Sequence, residues 1–304
     1  MSGFEVIKAG VFTLVQDRGR YNYAHLGVTS AGSLDEYAAL WAHKLLDNDI
    51  NDNLLEIAFS NVELKSIGDT TISITGAYCE FFINGVLKPV WQSYNIKAGD
   101  TINIGKFTSG TRVYFAVKNG FTIKKEFGSN STSIKDSLGG LSGNKLVNND
   151  FLPFVDTKAI VKKRVREDLL PKYESELTLR VVLSYQESSF IKEEKEKFFN
   201  SSFTVTSDFN RMACKLKGEQ IKSSLDGIVS EGISFGVIQI PKDGQPIILL
   251  KDRQTIGGYP KIGSVLSIDC FKLAQAKIGT VVRFEELNIE DSQNKIKSFY
   301  SNFF

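Results

Sequence analysis

Short stretches in which apolar and polar residues alternate recur along most of the chain. They include TISIT at Thr71–Thr75, TINIG at Thr101–Gly105, RVYFAV at Arg112–Val117, LTLRVVL at Leu177–Leu183 and TVVRFEEL at Thr280–Leu287. A period of two sends one face of a strand to a core and the other to solvent, so each stretch predicts a half-buried strand. Turn signals separate them at Asn84–Gly85, Ala98–Asp100, Asn119–Gly120 and Lys242–Gly244. Closely spaced strands and turns favour antiparallel barrels or sandwiches over alternating β–α units. The apolar run Pro246–Leu250 reads as a buried strand.

Helical spacing is rare. SLDEYAALWAHKLLDN predicts one helix, with Ser33 and Glu36 as a capping box and Leu34, Tyr37, Ala38, Trp41 and Leu45 on its apolar face. His43 falls on its polar side and is expected in solvent. ESSFIKEEKEKFF predicts a second helix, and Ile296, Phe299, Tyr300 and Phe303 a third at the C-terminal end. The charged segment Asp156–Glu176, which carries Pro171, reads as a linker. The expected organisation is therefore a β domain over residues 1–160, a second over 177–288, and a helical tail over 289–304.

Composition narrows the class. The 304 residues are 42% hydrophobic and 24% charged, which suits well-packed domains. A net charge of +2 argues against a nucleic-acid surface. No apolar run is long enough to cross a bilayer, and the N-terminus lacks the pattern of a signal peptide. Cys79, Cys214 and Cys270 are odd in number and far apart, so they read as reduced thiols of a cytoplasmic protein.

Several polar stretches are too dense in donors and acceptors for plain loops. In LVQDRGRYNYAHLGVTSAGSLD a strand-like FTLV runs into Gln16, Asp17 and Arg20, and Ser30, Ala31 and Gly32 lead to the expected helix start. Unpaired amides at a helix N-terminus would suit an anion there. FGSNSTSIKDSLGGLSG supplies hydroxyls and glycines. LLKDRQTIGGYP places Asp252, Arg253, Gln254 and Thr255 directly after an apolar run. Paired Asp and Arg also serve simply to pin a fold, so Asp17–Arg20 and Asp252–Arg253 stand open between structural and functional roles.

The usual machinery of a self-contained enzyme is missing from the sequence. There are two histidines, no GxSxG elbow and no His or Cys pair at metal-ligand spacing, so no metal is expected. GYPKIGS, Gly258–Ser264, has the glycine spacing of a phosphate loop but serine where lysine belongs. No lysine has the context of a biotin acceptor.

Taken in order, TLVQDRGR, HLGVTSAGSLD, LLEI, ITGA, GSNST, NRM and SEGISFGVIQIPKDGQPIILLKDRQTIGGYPKI resemble the carboxyltransferase family that includes the C-type subunit of bacterial 5-oxoprolinase. It also includes the second subunit of allophanate hydrolase-like proteins, the antagonist of a sporulation-kinase inhibitor, and the carboxyltransferase part of urea amidolyase. The resemblance runs from Gly10 to Phe284. It implies a mainly β fold of two cyclophilin-like antiparallel barrels with a few short helices. It implies ATP-dependent opening of 5-oxoproline to glutamate, by a complex of this chain with a homologous B-type subunit and a separate barrel-type subunit. ATP would be shared with those partners, and biotin, if used, carried by another chain. The alternatives within the resemblance are a biotin-dependent carboxyltransferase of urea amidolyase type and a non-catalytic regulator that binds a homologous subunit.

On this basis Asp17, Arg20, Asp252, Arg253 and Gln254 are the candidate catalytic residues. Gln16, His25, Ser30, Ala31, Gly32, Asp35, Ser129, Ser131, Thr132, Asn210, Arg211, Gln239, Thr255, Gly257, Gly258 and Tyr259 are candidates for binding a small-molecule substrate. The chain departs from the family pattern at Asn130, at Ala213, Cys214 and Lys215, and at Asn144 and Asn149. Arginine usually stands at the positions of Asn130 and Asn144, and neither asparagine reproduces its two-pronged donor set.

Overall fold

A computed structural model describes residues 1–59 and 61–303. Internal packing divides the chain into two units. Met1–Tyr21 and Ala31–Tyr173 form the first; Asn22–Ser30 and the chain from Glu174 onward form the second. The short segment Asn22–Ser30 thus packs with residues far downstream of it.

Among the described residues the first unit contains nine strands: β1 (Gly3–Ala9), β2 (Phe12–Gln16), β3 (Leu54–Ala58), β4 (Val62–Ser66), β5 (Thr70–Ile83), β6 (Val86–Lys88), β7 (Gln92–Ile96), β8 (Thr101–Val117) and β9 (Phe151–Pro153). They make one curled, antiparallel sheet with a path β2-β3-β8-β4-β1-β9, onto which β5 joins through β8 and carries β6 and β7. This sheet curls into a half-barrel. Phe4, Val6, Ile57, Leu64, Ile72, Ile74, Phe81, Ile104, Val113 and Phe115 fill its concave core.

The TISIT stretch is buried on both faces rather than one. Ile72 and Ile74 enter the core, while the Ser73 and Thr75 hydroxyls donate to the carbonyl oxygens of Ala42 and Ala38, each at 2.7 Å. Those carbonyls belong to helix α1 (Glu36–Leu46), which covers that face with Ala38, Ala42, Leu45 and Leu46. Small residues on both sides allow the close approach, and the hydroxyls satisfy polar groups that burial would otherwise strand. The helix begins later than the sequence suggested. Asp35 is its cap, accepting from the Ala38 amide at 3.1 Å, and Ser33 instead sends its amide and hydroxyl to the Asp17 carbonyl.

In the second unit, β10 (Glu176–Leu183), β11 (Phe203–Phe209), β12 (Ala213–Lys217), β14 (Val237–Gln239), β15 (Ile247–Leu249), β17 (Lys261–Val265) and β18 (Val281–Glu286) close into a barrel. Its order is β10-β17-β14-β15-β12-β11-β18. The closing pair, β18 against β10, is parallel from Glu176↔Val281 to Val181↔Glu286, so the barrel is not wholly antiparallel. A two-stranded ribbon of β13 (Glu231–Gly232) and β16 (Ile256–Gly257) stands beside it. Phe198, on helix α2 (Lys192–Asn200), stacks on Phe284 at 4.3 Å and meets Phe203 at 6.0 Å. Helix α3 (Ser267–Leu273) carries Asp269, which receives a two-pronged bond from Arg180 at 2.6 and 2.7 Å. Helix α4 (Ile289–Tyr300) packs Phe299 against Phe271 at 5.8 Å. Among the described residues no helix is long and apolar enough to cross a membrane.

Removing the Phe198 ring would leave a void between α2 and the barrel. We expect Phe198→Ala to cost about 3–5 kcal/mol, read as a lowered urea midpoint. A loss under about 1 kcal/mol would mean that the aromatic cluster does not hold α2 to the barrel.

Candidate functional site

The polar stretches form two clusters, one within each unit. In the first, β2 ends at Gln16, whose amide donates to the Thr132 carbonyl at 3.1 Å and accepts from the Gly32 amide at 3.0 Å. Asp17 follows, with only 6% of its surface exposed. Its carboxylate accepts from the Gly19 amide at 2.7 Å, the Ser129 hydroxyl at 2.6 Å, the Asn130 amide at 2.6 Å and the Ser131 hydroxyl at 2.5 Å. GSNST is therefore a wrap around one buried carboxylate. The Asn130 side chain donates to the Ile123 carbonyl at 2.8 Å.

Arg20, also buried, sends Nε to the Glu126 carbonyl at 3.2 Å. Gly139 lies against it with φ +71, and a Cβ there would collide with the Arg20 guanidinium and the Ser131 carbonyl. LGG thus lets the backbone fold over the arginine.

The amides expected to receive an anion before α1 are occupied. Gly32 N–H goes to Gln16, Ser33 N–H to the Asp17 carbonyl, Leu34 N–H to Glu56 Oε2 at 2.8 Å and Asp35 N–H to the Tyr114 hydroxyl at 2.7 Å. Ala31, at φ 51, and Gly32, at φ +102, aim these donors inward, and a Cβ on Gly32 would sit 2.7 Å from the Arg18 carbonyl oxygen. Bulk at Gly32 would strain the fold itself, so this segment is a framework and not an anion cradle. Glu56 and Tyr114 complete it: the Tyr114 hydroxyl donates to Glu56 Oε2 at 2.8 Å. A lone glutamate within the apolar LLEIA was the only sequence signal for them.

In the second unit, Asp252 pairs with Arg211 rather than with its neighbour Arg253. The pair is two-pronged and buried, at 2.8 and 2.9 Å. Arg253 donates to the carbonyls of Ile233 and Leu250, at 3.0 and 3.2 Å, and to the Ser30 hydroxyl at 3.2 Å. It thereby ties Asn22–Ser30 to the strand-end turn. His25 is exposed on a short 3-10 turn of that segment. Asn210 folds back to accept the Met212 and Ala213 amides. Gln254 and Tyr259 are exposed, and Thr255 half-buried. The Gly258 carbonyl accepts from the Ile228 amide. Gln239 is buried, its Nε2 has no hydrogen-bond partner among the described residues, and Gly257 lies so close that a Cβ there would meet that amide at 2.6 Å.

Beside Gln239 in the barrel stands Lys261, 3% exposed, which pairs with Glu231. Tyr185 and Gln186 donate to the same carboxylate oxygen. Lys261 first, then Tyr185, holds the Glu231 carboxyl below its ordinary range. Sequence reasoning passed over this cluster, because GYPKIGS looked like a weak phosphate loop. From Lys261 onward that stretch lies in β17, where the lysine faces a carboxylate. Among the described residues, no three His, Cys, Asp or Glu side chains gather to hold a metal ion.

His43 corrects another expectation. It is 2% exposed, its buried Nδ1 has no hydrogen-bond partner among the described residues, and burial pushes its pKa down to about 4. It is buried because the polar side of α1 is covered in its turn.

Residues 26–286 match the model of the family described as carboxyltransferase domain, subdomain A and B. The chain belongs to this family. It is 32% identical over 295 residues to the C-type subunit of Escherichia coli 5-oxoprolinase, covering 95% of this chain and 92% of that one. It is 27% identical to urea amidolyase of Saccharomyces cerevisiae, across 96% of this chain but 17% of that protein. The crystal structure of the K. lactis urea amidolyase superposes with a TM-score of 0.91 at 24% identity, over 99% of this chain and 20% of that one. The chain thus spans about a fifth of that solved structure.

Two measurements separate framework from surface. Asp17→Ala strands four donors and should cost at least about 3 kcal/mol in urea denaturation, whereas exposed Gln254→Ala should cost within about 0.5 kcal/mol. Equal effects would contradict the assigned burial. For His43, the folded pKa lies below the unfolded value, so the unfolded chain takes up its proton first. Stability should fall as pH drops from about 6.5 to about 4, reaching a loss of about 3 kcal/mol. His43→Leu should remove that part of the acid slope; an unchanged slope would show that the ring titrates normally.

Proposed function

We propose that this chain is one subunit of a 5-oxoprolinase-type complex, which opens the lactam of 5-oxoproline to glutamate at the expense of ATP. The supporting observation is the relation to the C-type subunit of E. coli 5-oxoprolinase, end to end over nearly the whole of both chains. The match to urea amidolyase takes in one stretch of a much longer protein, so it supports the shared fold more than a shared reaction. The E. coli relative is itself named as a subunit, which supports a multi-chain assembly. In this reading a homologous B-type chain and a barrel-type chain complete the complex. The residues of this chain offer no phosphate loop, since the near-match is largely strand β17, so nucleotide contacts are assigned to the assembly and no step is derived through ATP. Of the candidate residues, His25, Asn210, Gln254 and Tyr259 are exposed and Thr255 is half-buried, and Gln254, Thr255 and Tyr259 are assigned to meet substrate.

The test is reconstitution. The isolated chain should not consume ATP or 5-oxoproline, and addition of B-type and barrel-type subunits should yield glutamate and ADP together. Turnover by the chain alone would overturn the shared-machinery reading. Carboxyl transfer to urea from a biotinylated partner would favour the urea amidolyase alternative, and binding to a homologous subunit without any turnover would favour a regulator.

A further inference from the structure

In the second unit, the chain from 224 to 232 is exposed throughout except at half-buried Ile228 and Glu231. Its backbone bonds stay within the β13–β16 ribbon: Glu231 pairs with Gly257, and the Ile228 and Ile233 amides donate to the Gly258 and Thr255 carbonyls. Glu231 is what fastens this segment to the barrel. Its carboxylate takes Lys261, the Tyr185 hydroxyl and, at 2.8 Å, the Gln186 side-chain amide. Gln186 in turn accepts from the Lys261 backbone amide at 3.0 Å.

Behind the ribbon lie two buried donors. Gln239 and Lys261 stand directly opposite each other on β14 and β17, so their side chains share a face of the sheet. Gly257, the cross-strand partner of Glu231, covers Gln239 Nε2, and that amide has no acceptor among the described residues. A buried donor left unmet is unfavourable, so Gln239 opposes closure of the ribbon while the Lys261–Glu231 pair favours it. Moving the ribbon away would free Gln239 to bond but strip a buried ammonium of its counter-charge. The exchange balances only if the incoming group is itself an anion. Two donors call for two acceptor atoms, and the present occupant beside Lys261 is a carboxylate.

We propose that Glu231 is the internal occupant of a carboxylate site built from Lys261 Nζ and Gln239 Nε2, and that a small free carboxylate displaces it and releases the ribbon. The contact is self-inhibitory: the segment that covers the two donors is held down by the group that competes for one of them. The inference goes beyond the proposed function and stands without it, since it concerns anion exchange within this chain alone.

The test uses the full-length chain, 15N-labelled at glutamine side chains, with the Gln239 amide signals assigned by their loss in Gln239→Leu. Sodium acetate is titrated at neutral pH against sodium chloride at constant ionic strength. Acetate should move the Gln239 signals saturably and chloride should not; no saturable shift, or an equal one with chloride, would overturn the site. Glu231→Gln removes the internal competitor and should tighten acetate binding, read by calorimetry, at least about tenfold. Tyr185→Phe, at an exposed position, loosens the same carboxylate without touching either donor and should shift affinity in the same direction. Unchanged or weaker binding in these variants would show that Glu231 does not occupy the site. Tighter binding of inorganic phosphate than of acetate would overturn the carboxylate assignment. None of these results depends on whether the assembled complex turns over 5-oxoproline, so failure of the two readings can be told apart.

Discussion

The first unit is organised around one buried negative charge. A carboxylate removed from water is costly unless donors replace its hydration. For Asp17 those donors come from Gly19, two residues on, and from Ser129, Asn130 and Ser131, more than a hundred residues away in sequence. The same residue's carbonyl receives Ser33, which sets where the chain enters α1. Strand end, hydroxyl-rich loop and helix approach thus share a single electrostatic centre. None of the three could move far without leaving the charge exposed to an apolar interior.

This explains which parts of the sequence could be read. Alternation exposed the strands, because a core facing one side imposes a period of two wherever the other side is wet. It underestimated Ser73 and Thr75, whose hydroxyls look solvent-facing until a helix is laid over them. It misplaced His43 for the same reason, since helix periodicity reveals one face but not what covers the opposite one. The closed barrel of the second unit and the open sheet of the first have similar strand patterns, and closure is decided by pairing between distant segments that no local pattern reports.

The polar motifs were legible as special, though not their partners. Adjacent Asp252 and Arg253 invited a local ion pair, yet the first serves Arg211 and the second holds backbone carbonyls and Ser30. Both lie in the turn that follows β15, closed by the Arg253 amide on the Leu250 carbonyl, and each side chain is drawn to a partner distant in sequence. Lys261 was hidden because a charged residue in a strand next to glycines reads as a loop. Several of the candidate polar residues are held in dense internal hydrogen-bond networks, Asp17 by four donors and Asp252 by Arg211.

The parallel pairing of β18 with β10 carries a consequence for synthesis. During translation the strand Glu176–Leu183 emerges about a hundred residues before its closing neighbour Val281–Glu286. Until that neighbour arrives, one lateral edge of β10 lacks its final backbone partner, and the barrel interior has an open seam. Such an edge can recruit strands from other nascent chains. Asn22–Ser30, made long before, must also wait for Arg253 to dock. The second unit is therefore the part of this protein whose maturation is most exposed to crowding on the polysome, and the part for which a chaperone that shields a bare sheet margin would matter.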